Sequence, residues 1–324
     1  MSAAPTGLTI GVFGSEGESR SALESAVAKK SEAEGIIVYH RTEAGRRFSL
    51  LDTGDYPERI QGYARIASIS DHAYYMFPKS GRLTAPDGEL AVLLEAFGLA
   101  GTIHILDGAS TPEDVTTALR GTALAGYWVE ERSIASSALE TSRVEPRSDF
   151  PNSQTLVYID RAFSVKGVGT VALGFVLCGT VSVHDQLRPV PGRNSARADV
   201  KGIQINDQDF ESAGRGIRIG LSLRGVDPKE LEKSHWLDDG SFALTDKVTF
   251  QFDRSSFYRQ EVKGRDLHIQ LPGEMLPARV TEGSGGLFAA ALPVQAPVWE
   301  GMRVAVADLN AKSLRVAGGG SCKF

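Results

Sequence analysis

The sequence holds only two cysteines, Cys178 and Cys322, in 324 residues. Two thiols cannot staple a chain of this size. They read as buried small hydrophobes in a reducing compartment rather than as a disulfide or a metal pair. No apolar run approaches the ~20 residues needed to cross a bilayer, which excludes a helical membrane protein. Met1–Thr6 has neither a positive n-region nor an apolar core, so no signal peptide is expected and the expected location is the cytoplasm. The six histidines, at 40, 72, 104, 184, 235 and 268, are scattered. None has H-x-x-x-H spacing, and each is expected to be structural, with no metal site. No Gly-x-Ser-x-Gly elbow follows a strand, which argues against Ser-His-Asp hydrolysis. Internal repeats and low-complexity tracts are absent.

A large excess of charge of one sign is also missing. The net charge is −5, which argues against wholesale polyanion binding and gives no expectation of DNA. The total hides an asymmetry. Residues 1–150 carry 14 basic and 21 acidic side chains, a balance of −7, whereas 153–225 carry 9 and 6, a balance of +3. Any nucleic-acid contact is therefore expected to start in the middle of the chain.

What is present is ordinary for a soluble globular protein, with 42% hydrophobic and 23% charged residues, and long enough for two or three domains. The first 150 residues alternate short apolar runs with helix-like stretches, the signature of a parallel sheet with crossover helices. Strands are expected at Leu8–Phe13, Ile36–Arg41, Phe48–Asp52, His72–Pro78 and Thr102–Asp107. The second and third of these should form a hairpin through Ala44-Gly45. Helices are expected from about Ser19 to Lys30, over Gly88–Phe97, and from Thr111-Pro112-Glu113, where Thr can cap and Pro suits the first turn. Tyr74–Phe77 should be core, and Lys29-Lys30 and Arg46-Arg47 solvated surface charges. Residues 147–153, rich in proline and small polar residues, mark a linker.

After the linker strands dominate: Leu156–Arg161, Val168–Cys178, Gln186–Val190, Asp199–Ile205 and Arg215–Leu223. Their spacing suggests a small β-barrel. A second β module runs from Phe242 to Phe324, with period-2 stretches at Val248–Phe252 and Leu267–Leu271 and a last strand in Ser313–Val316. The expected fold class is α/β plus all-β: a parallel-sheet domain over 1–150, then β-barrels over 153–240 and 241–324.

Four segments of the central module carry a family resemblance. They are Tyr158–Val171, Gly174–Leu187, Lys201–Ile205 and Ala213–Val226. In order and spacing they resemble the second domain of translational GTPases. Within that superfamily the chain is similar to the selenocysteine-specific elongation factor SelB in its archaeal form, through Leu223-Arg-Gly-Val226, Ser255–Arg259, Leu276–Val280 and Leu292–Val304. The resemblance implies a P-loop GTPase-like domain followed by barrel domains II and III. It also implies tRNA or the ribosome as partner, with the barrels meeting the aminoacyl end and the acceptor and T stems. Arg161, Lys166, Arg188, Arg193, Arg215 and Arg224 are candidate phosphate contacts, which position RNA without reading sequence. SelB often carries a fourth domain that contacts the selenocysteine insertion signal. This sequence runs to Phe324, at the end of the third, so decoding that signal is not expected.

The first domain resembles a GTPase in layout but not in chemistry. A P-loop reads G-x-x-x-x-G-K-[ST], with glycines to wrap phosphates, a lysine for their charge and a hydroxyl for Mg²⁺. The matching run is Gly14-Ser-Glu-Gly-Glu-Ser-Arg-Ser21. Gly14 and the Ser21 hydroxyl survive, Arg20 replaces the lysine, and Glu16 and Glu18 bring charge of the phosphate's own sign. The switch II motif Asp-x-x-Gly-His corresponds to Asp52-Thr-Gly-Asp-Tyr56, leaving Asp52 as the one group able to reach a magnesium-bound water. The guanine-reading motif corresponds to Asp107-Gly-Ala-Ser110, without lysine or carboxylate at the reading positions. Switch I has no room, since only Ser31–Gly35 separate helix from hairpin. Gly14, Arg20, Ser21 and Asp52 are thus a vestigial nucleotide site. The expectation is no GTP or Mg²⁺ cofactor and no GTPase activity. Two alternatives stand beside an RNA-binding pseudo-GTPase: a scaffold that binds a protein partner through its relic G domain, and an unorthodox GTP-binding factor.

Overall fold

The computed structural model describes residues 3–324 apart from 28, 33, 34, 134, 135, 137, 138, 140, 193–195 and 284–286. Strand β1 (Gly7–Phe13) is buried on both faces and sits mid-sheet, between β4 (Arg46–Asp52) and β5 (His72–Met76), parallel to both. Strands β6 (Gly101–Leu106) and β7 (Trp128–Arg132) extend the parallel set. On the other side β3 (Ile37–Glu43) forms the expected antiparallel hairpin with β4. Its turn places Ala44 and Gly45 at positive φ, 47° and 78°. One edge strand, β2 (Lys29–Glu32), takes up Lys29-Lys30, expected to end the helix, and the first residues of the expected connection; pairing with β3 draws them into the sheet. The order is β2-β3-β4-β1-β5-β6-β7.

Helix α1 (Gly17–Val27) covers one face of the sheet through Leu23, packed with Ile10, Val12, Leu50, Tyr74 and Met76. Helices α2 (Gln61–Ile69) and α3 (Ala85–Phe97) cover the other face. Helix α3 carries almost no polar stripe because a barrel covers its outer side: Leu90–Leu94, Ala96 and Phe97 are all buried. Its first turn is fixed by Asp87, whose carboxylate accepts from the N–H and hydroxyl of Thr84 at 2.8 and 2.6 Å. The short α4 (Pro112–Ala118) is capped by Thr111 as expected.

Barrel II comprises β8 (Leu156–Val165), β9 (Gly169–Cys178), β10 (Thr180–Ser182), β11 (Gln186–Val190), β12 (Ala198–Ile205), β13 (Gln208–Phe210), β14 (Ser212–Gly214), β15 (Arg218–Arg224), the single turn α5 (Pro228–Leu231) and β16 (Trp236–Asp238). It closes through the β11–β12 pairing. Barrel III is a closed six-strand antiparallel barrel in the order β17 (Ala243–Arg254), β20 (Leu287–Val298), β19 (Met275–Glu282), β18 (Asp266–Gln270), β21 (Arg303–Ala307), β22 (Val316–Cys322).

Strand β22 begins at Val316, where the sequence reading placed the end of the last strand. Its Gly318-Gly-Gly320 core lacks strand propensity but meets a packing need. A Cβ on Gly319 would lie 2.3 Å from the Ala96 carbonyl of α3, so the glycine lets barrel and helix touch backbone to backbone. Cys178 and Cys322 are buried and unpaired, and Tyr74–Phe77 are core. Among the described residues no helix is long and apolar enough to cross a membrane.

One hydrophobic cluster runs through all three domains, from Phe13, Tyr63 and Leu94 through Tyr158 and Trp236 to Leu271 and Val306. Residues 147–153 form part of this junction. Arg147 donates to the carbonyls of Ala67 and Ser68 at the end of α2, both at 3.3 Å, and Phe150 is buried against Trp299.

Candidate functional site

The segment after β1 turns sharply at Gly14, with φ of 152°, where a Cβ would stand 3.0 Å from the Met76 carbonyl. Helix α1 then begins at Gly17, and its N-terminus would normally favour an anion. Here the carboxylate of Glu16 accepts from the Ser19 hydroxyl at 3.0 Å and from the Lys79 backbone N–H at 3.1 Å.

Arg20 does not point out of this loop. It is 3% exposed and turned under the helix, where Nε donates to Asp52 Oδ1 at 3.0 Å and Nη1 to the Gly14 carbonyl at 2.6 Å. Nη2 lies 3.4 Å from the Thr53 carbonyl. The Tyr63 hydroxyl of α2 donates to the same Asp52 oxygen at 3.0 Å, and the guanidinium lies 5.5 Å over the Tyr63 ring. Four predicted positions thus separate into two sets. Gly14, Arg20 and Asp52 come together in one buried network, whereas Ser21 is exposed on α1 outside it.

Glu24, one turn further along α1, is 1% exposed and lies beside the Asp52 carboxylate and the Tyr39 hydroxyl. Burial, then the nearby Asp52 carboxylate, push its pKa up to about 8. Burial also raises Asp52, but Arg20 and the Tyr63 hydroxyl oppose that rise. Of the pair, Glu24 therefore holds the proton. No sequence motif singles it out; an acidic residue on the inward stripe of α1, in line with Arg20, was the available signal.

The switch II counterpart is similarly occupied. Asp55 is exposed, while Tyr56 is buried, packs 5.1 Å from Tyr63 and donates to the Pro86 carbonyl at 2.6 Å. Asp107, at the end of β6, adopts positive φ of 50° in a turn.

The candidate RNA contacts are not equivalent. Arg161 and Lys166 are exposed on β8 and at its hairpin tip, and Arg224 is 74% exposed, 3.3 Å from Asp199. Arg188 instead grips the fully buried Asp238 with two bonds, at 2.9 and 2.6 Å. Arg215 bridges domains, donating to Asp71 at 2.7 Å and to the Arg147 carbonyl at 2.6 Å. Arg193 lies outside the described residues.

An arginine-lined concavity not evident from the sequence lies between hairpin β3–β4 and the β12–β13 turn. This cleft of about 470 Å³ is lined by His40, Arg41, Arg47, Asn206, Asp207 and Arg218 among others. Arg218 is anchored by Asp160 at 2.8 Å, and Arg41 by Glu43. Burial, then Arg218, depress the His40 pKa to about 4, so that ring is neutral near pH 7. Arg46 and Arg47 differ from simple solvated charges: Arg46 donates to the Val144 carbonyl at 2.6 Å, and Arg47 stands 5.8 Å over the Phe210 ring. Side chains of Lys29 and Lys30 lie outside what is described. Among the described residues no three His, Cys, Asp or Glu side chains converge to hold a metal ion.

No family model matches the chain. It is 26% identical over 316 residues to the uncharacterized protein MJ0325 of Methanocaldococcus jannaschii, covering 97% of this chain and 99% of that one. It is 40% identical over 132 residues to the selenocysteine-specific elongation factor of the same organism, 40% of this chain but only 28% of that protein's length. The crystal structure of translation elongation factor SelB from Methanococcus maripaludis in complex with the GTP analogue GPPNHP superposes with a TM-score of 0.81 at 19% identity. It covers all of this chain and 80% of that one. The fold is that of SelB-type elongation factors: a sheet domain and two closed barrels in the same order.

Proposed function

We propose that this protein is a translation-factor-like RNA binder that engages a tRNA or the ribosome without a GTP cycle. The observation that carries the reading is the Arg20–Asp52 pair. A triphosphate with Mg²⁺ needs a cation at the P-loop and a carboxylate at switch II, and here each satisfies the other inside the core. The Glu16 carboxylate stands at the start of α1, where backbone N–H groups would meet phosphate. Ser21 keeps a hydroxyl, but it has no partner carboxylate to complete an octahedral magnesium site, because Asp52 is committed. These residues do not fit the nucleotide, and no hydrolytic step is assigned to them.

The RNA side of the proposal draws on the exposed Arg161, Lys166 and Arg224 of barrel II and on the cleft holding Arg41, Arg47 and Arg218. The likeness to selenocysteine-specific elongation factors supports tRNA or the ribosome as the partner class. A tRNA titration with and without Mg·GTP, at about 50 and about 200 mM salt, tests both halves. The expected result is an affinity indifferent to nucleotide and falling steeply with salt. Binding to a protein component that is insensitive to salt, with none to RNA, would favour the scaffold reading. An affinity that depends on Mg·GTP would overturn the proposal.

A further inference from the structure

A second cleft opens where β1 and β4 begin, at the end of the sheet away from the Gly14 loop. It measures about 370 Å³ and is lined by Thr6, Arg46, Arg47, Asn152 and Arg215 among others, with no carboxylate among the described residues of its wall. Two of its guanidiniums are positioned without being neutralised. Arg46 donates to the Val144 carbonyl at 2.6 Å, lies 3.4 Å from that of Thr141 and stands 5.5 Å over the Phe48 ring. Arg47 rests on the Phe210 ring at 5.8 Å. Among the described residues neither has a carboxylate within ion-pair distance. A carbonyl or a ring orients a guanidinium and leaves its charge in place. Arg215 is paired, to Asp71, and lies 5.0 Å over the Phe150 ring. Arg47 also lines the cleft described above, where the charges are more nearly balanced: Arg41 is paired with Glu43, Arg218 with Asp160, and Asp207 stands in the wall.

We propose that this second cleft is a phosphate-binding site, which grips one phosphate group through Arg46 and Arg47, with the Asn152 amide and the Thr6 hydroxyl as neutral donors. Guanidiniums present paired N–H groups that match two phosphate oxygens, and a cleft with low-dielectric walls concentrates their field. The carrier is either an RNA backbone or a free phosphate, which share this chemistry. The inference goes beyond the proposed function and does not rest on it, because the site takes a phosphate group whatever carries it.

Titration of the full chain with inorganic pyrophosphate at low salt tests it, followed by NMR at the amide signals of Gly45, Arg46, Arg47 and Asn152. Saturable shifts are expected, with an affinity weaker than about 1 mM, as suits one solvent-open site. Arg46→Gln and Asn152→Asp should each weaken it about tenfold or more. Arg279→Gln, on the exposed face of barrel III, lowers the net charge by the same unit and should change it less than about twofold. If Arg46→Gln disturbs the hairpin, Asn152→Asp decides, since Asn152 is exposed and makes no hydrogen bond among the described residues. No saturable shift in the wild type would overturn the site, as would cleft variants that weaken binding no more than Arg279→Gln does. A short single-stranded RNA separates the carriers: the same signals moved by it assign the cleft to RNA phosphates, and unmoved signals assign it to a free phosphate. Failure of the pyrophosphate titration would leave the tRNA reading to its own test, because Arg161, Lys166 and Arg224 lie outside this cleft.

Discussion

Arg20 is held by a carboxylate, a carbonyl and an aromatic ring, all out of solvent. Removing one member of such a pair leaves a buried charge uncompensated, which costs about 3–5 kcal/mol. Arg20→Met should lose stability on that scale in urea unfolding, and the double variant Arg20→Met/Asp52→Leu should recover most of it. A single-variant loss below about 1 kcal/mol would mean the pair is open to solvent. Glu24 gives a test with pH. Its folded pKa, about 8, lies above the ordinary carboxylate value, so its ionisation adds no cost while it is protonated in both states. Stability is then lost as pH rises from the unfolded pKa toward 8, because the unfolded chain gives up a proton that the fold retains. Glu24→Gln should therefore be close to neutral at pH 4 and stabilising at pH 8.5, by about 1.4 kcal/mol for each pKa unit of displacement. Equal effects at both pH values would contradict the assignment. The replacement of P-loop lysine by Arg20 was legible in the sequence. That Arg20 would turn inward to Asp52, 32 positions away, was not, since residue type alone does not choose between phosphate and carboxylate as its partner.

Strand β22 and helix α2 show which elements escape a reading by pattern. Helix α2 has a helical apolar spacing at Tyr63, Ala64, Ile66 and Ala67, but its N-cap is Ile60, which offers no capping side chain, so the start signal is missing. Strand β22 is glycine-rich because a helix backbone lies against it, a tertiary demand that overrides propensity. Gly319→Val should destabilise barrel III by at least about 2 kcal/mol through forced displacement of α3, read as a lowered urea midpoint. The hairpin β3–β4 was legible because Ala44-Gly45 encodes its turn locally. The arginine-lined cleft was not: Arg41, Arg47 and Arg218 meet only when hairpin and barrel dock. Arg47→Ala and Arg218→Ala should each weaken tRNA binding across sequences and lower the salt slope by about 1. Arg188→Ala should instead act on stability, because it strands the buried Asp238. Unchanged tRNA affinity in both cleft variants would remove that surface from the proposal.

At the scale of the molecule, three domains share one core, and the stretch expected to be a linker is wedged into it by Arg147 and Phe150. Arg215–Asp71 ties barrel II to the sheet domain, and Arg315–Glu89 ties barrel III to it. The Trp236 indole N–H donates to the Pro272 carbonyl at 2.7 Å, joining the barrels to each other. The most direct test is calorimetric titration of the folded protein with GTP and GDP, each with and without Mg²⁺. A chain whose P-loop cation and switch carboxylate are spent on each other should give no saturable heat up to about 1 mM nucleotide. Binding in the micromolar range would contradict the account, because Arg20 and Asp52 would then have to part and face the ligand.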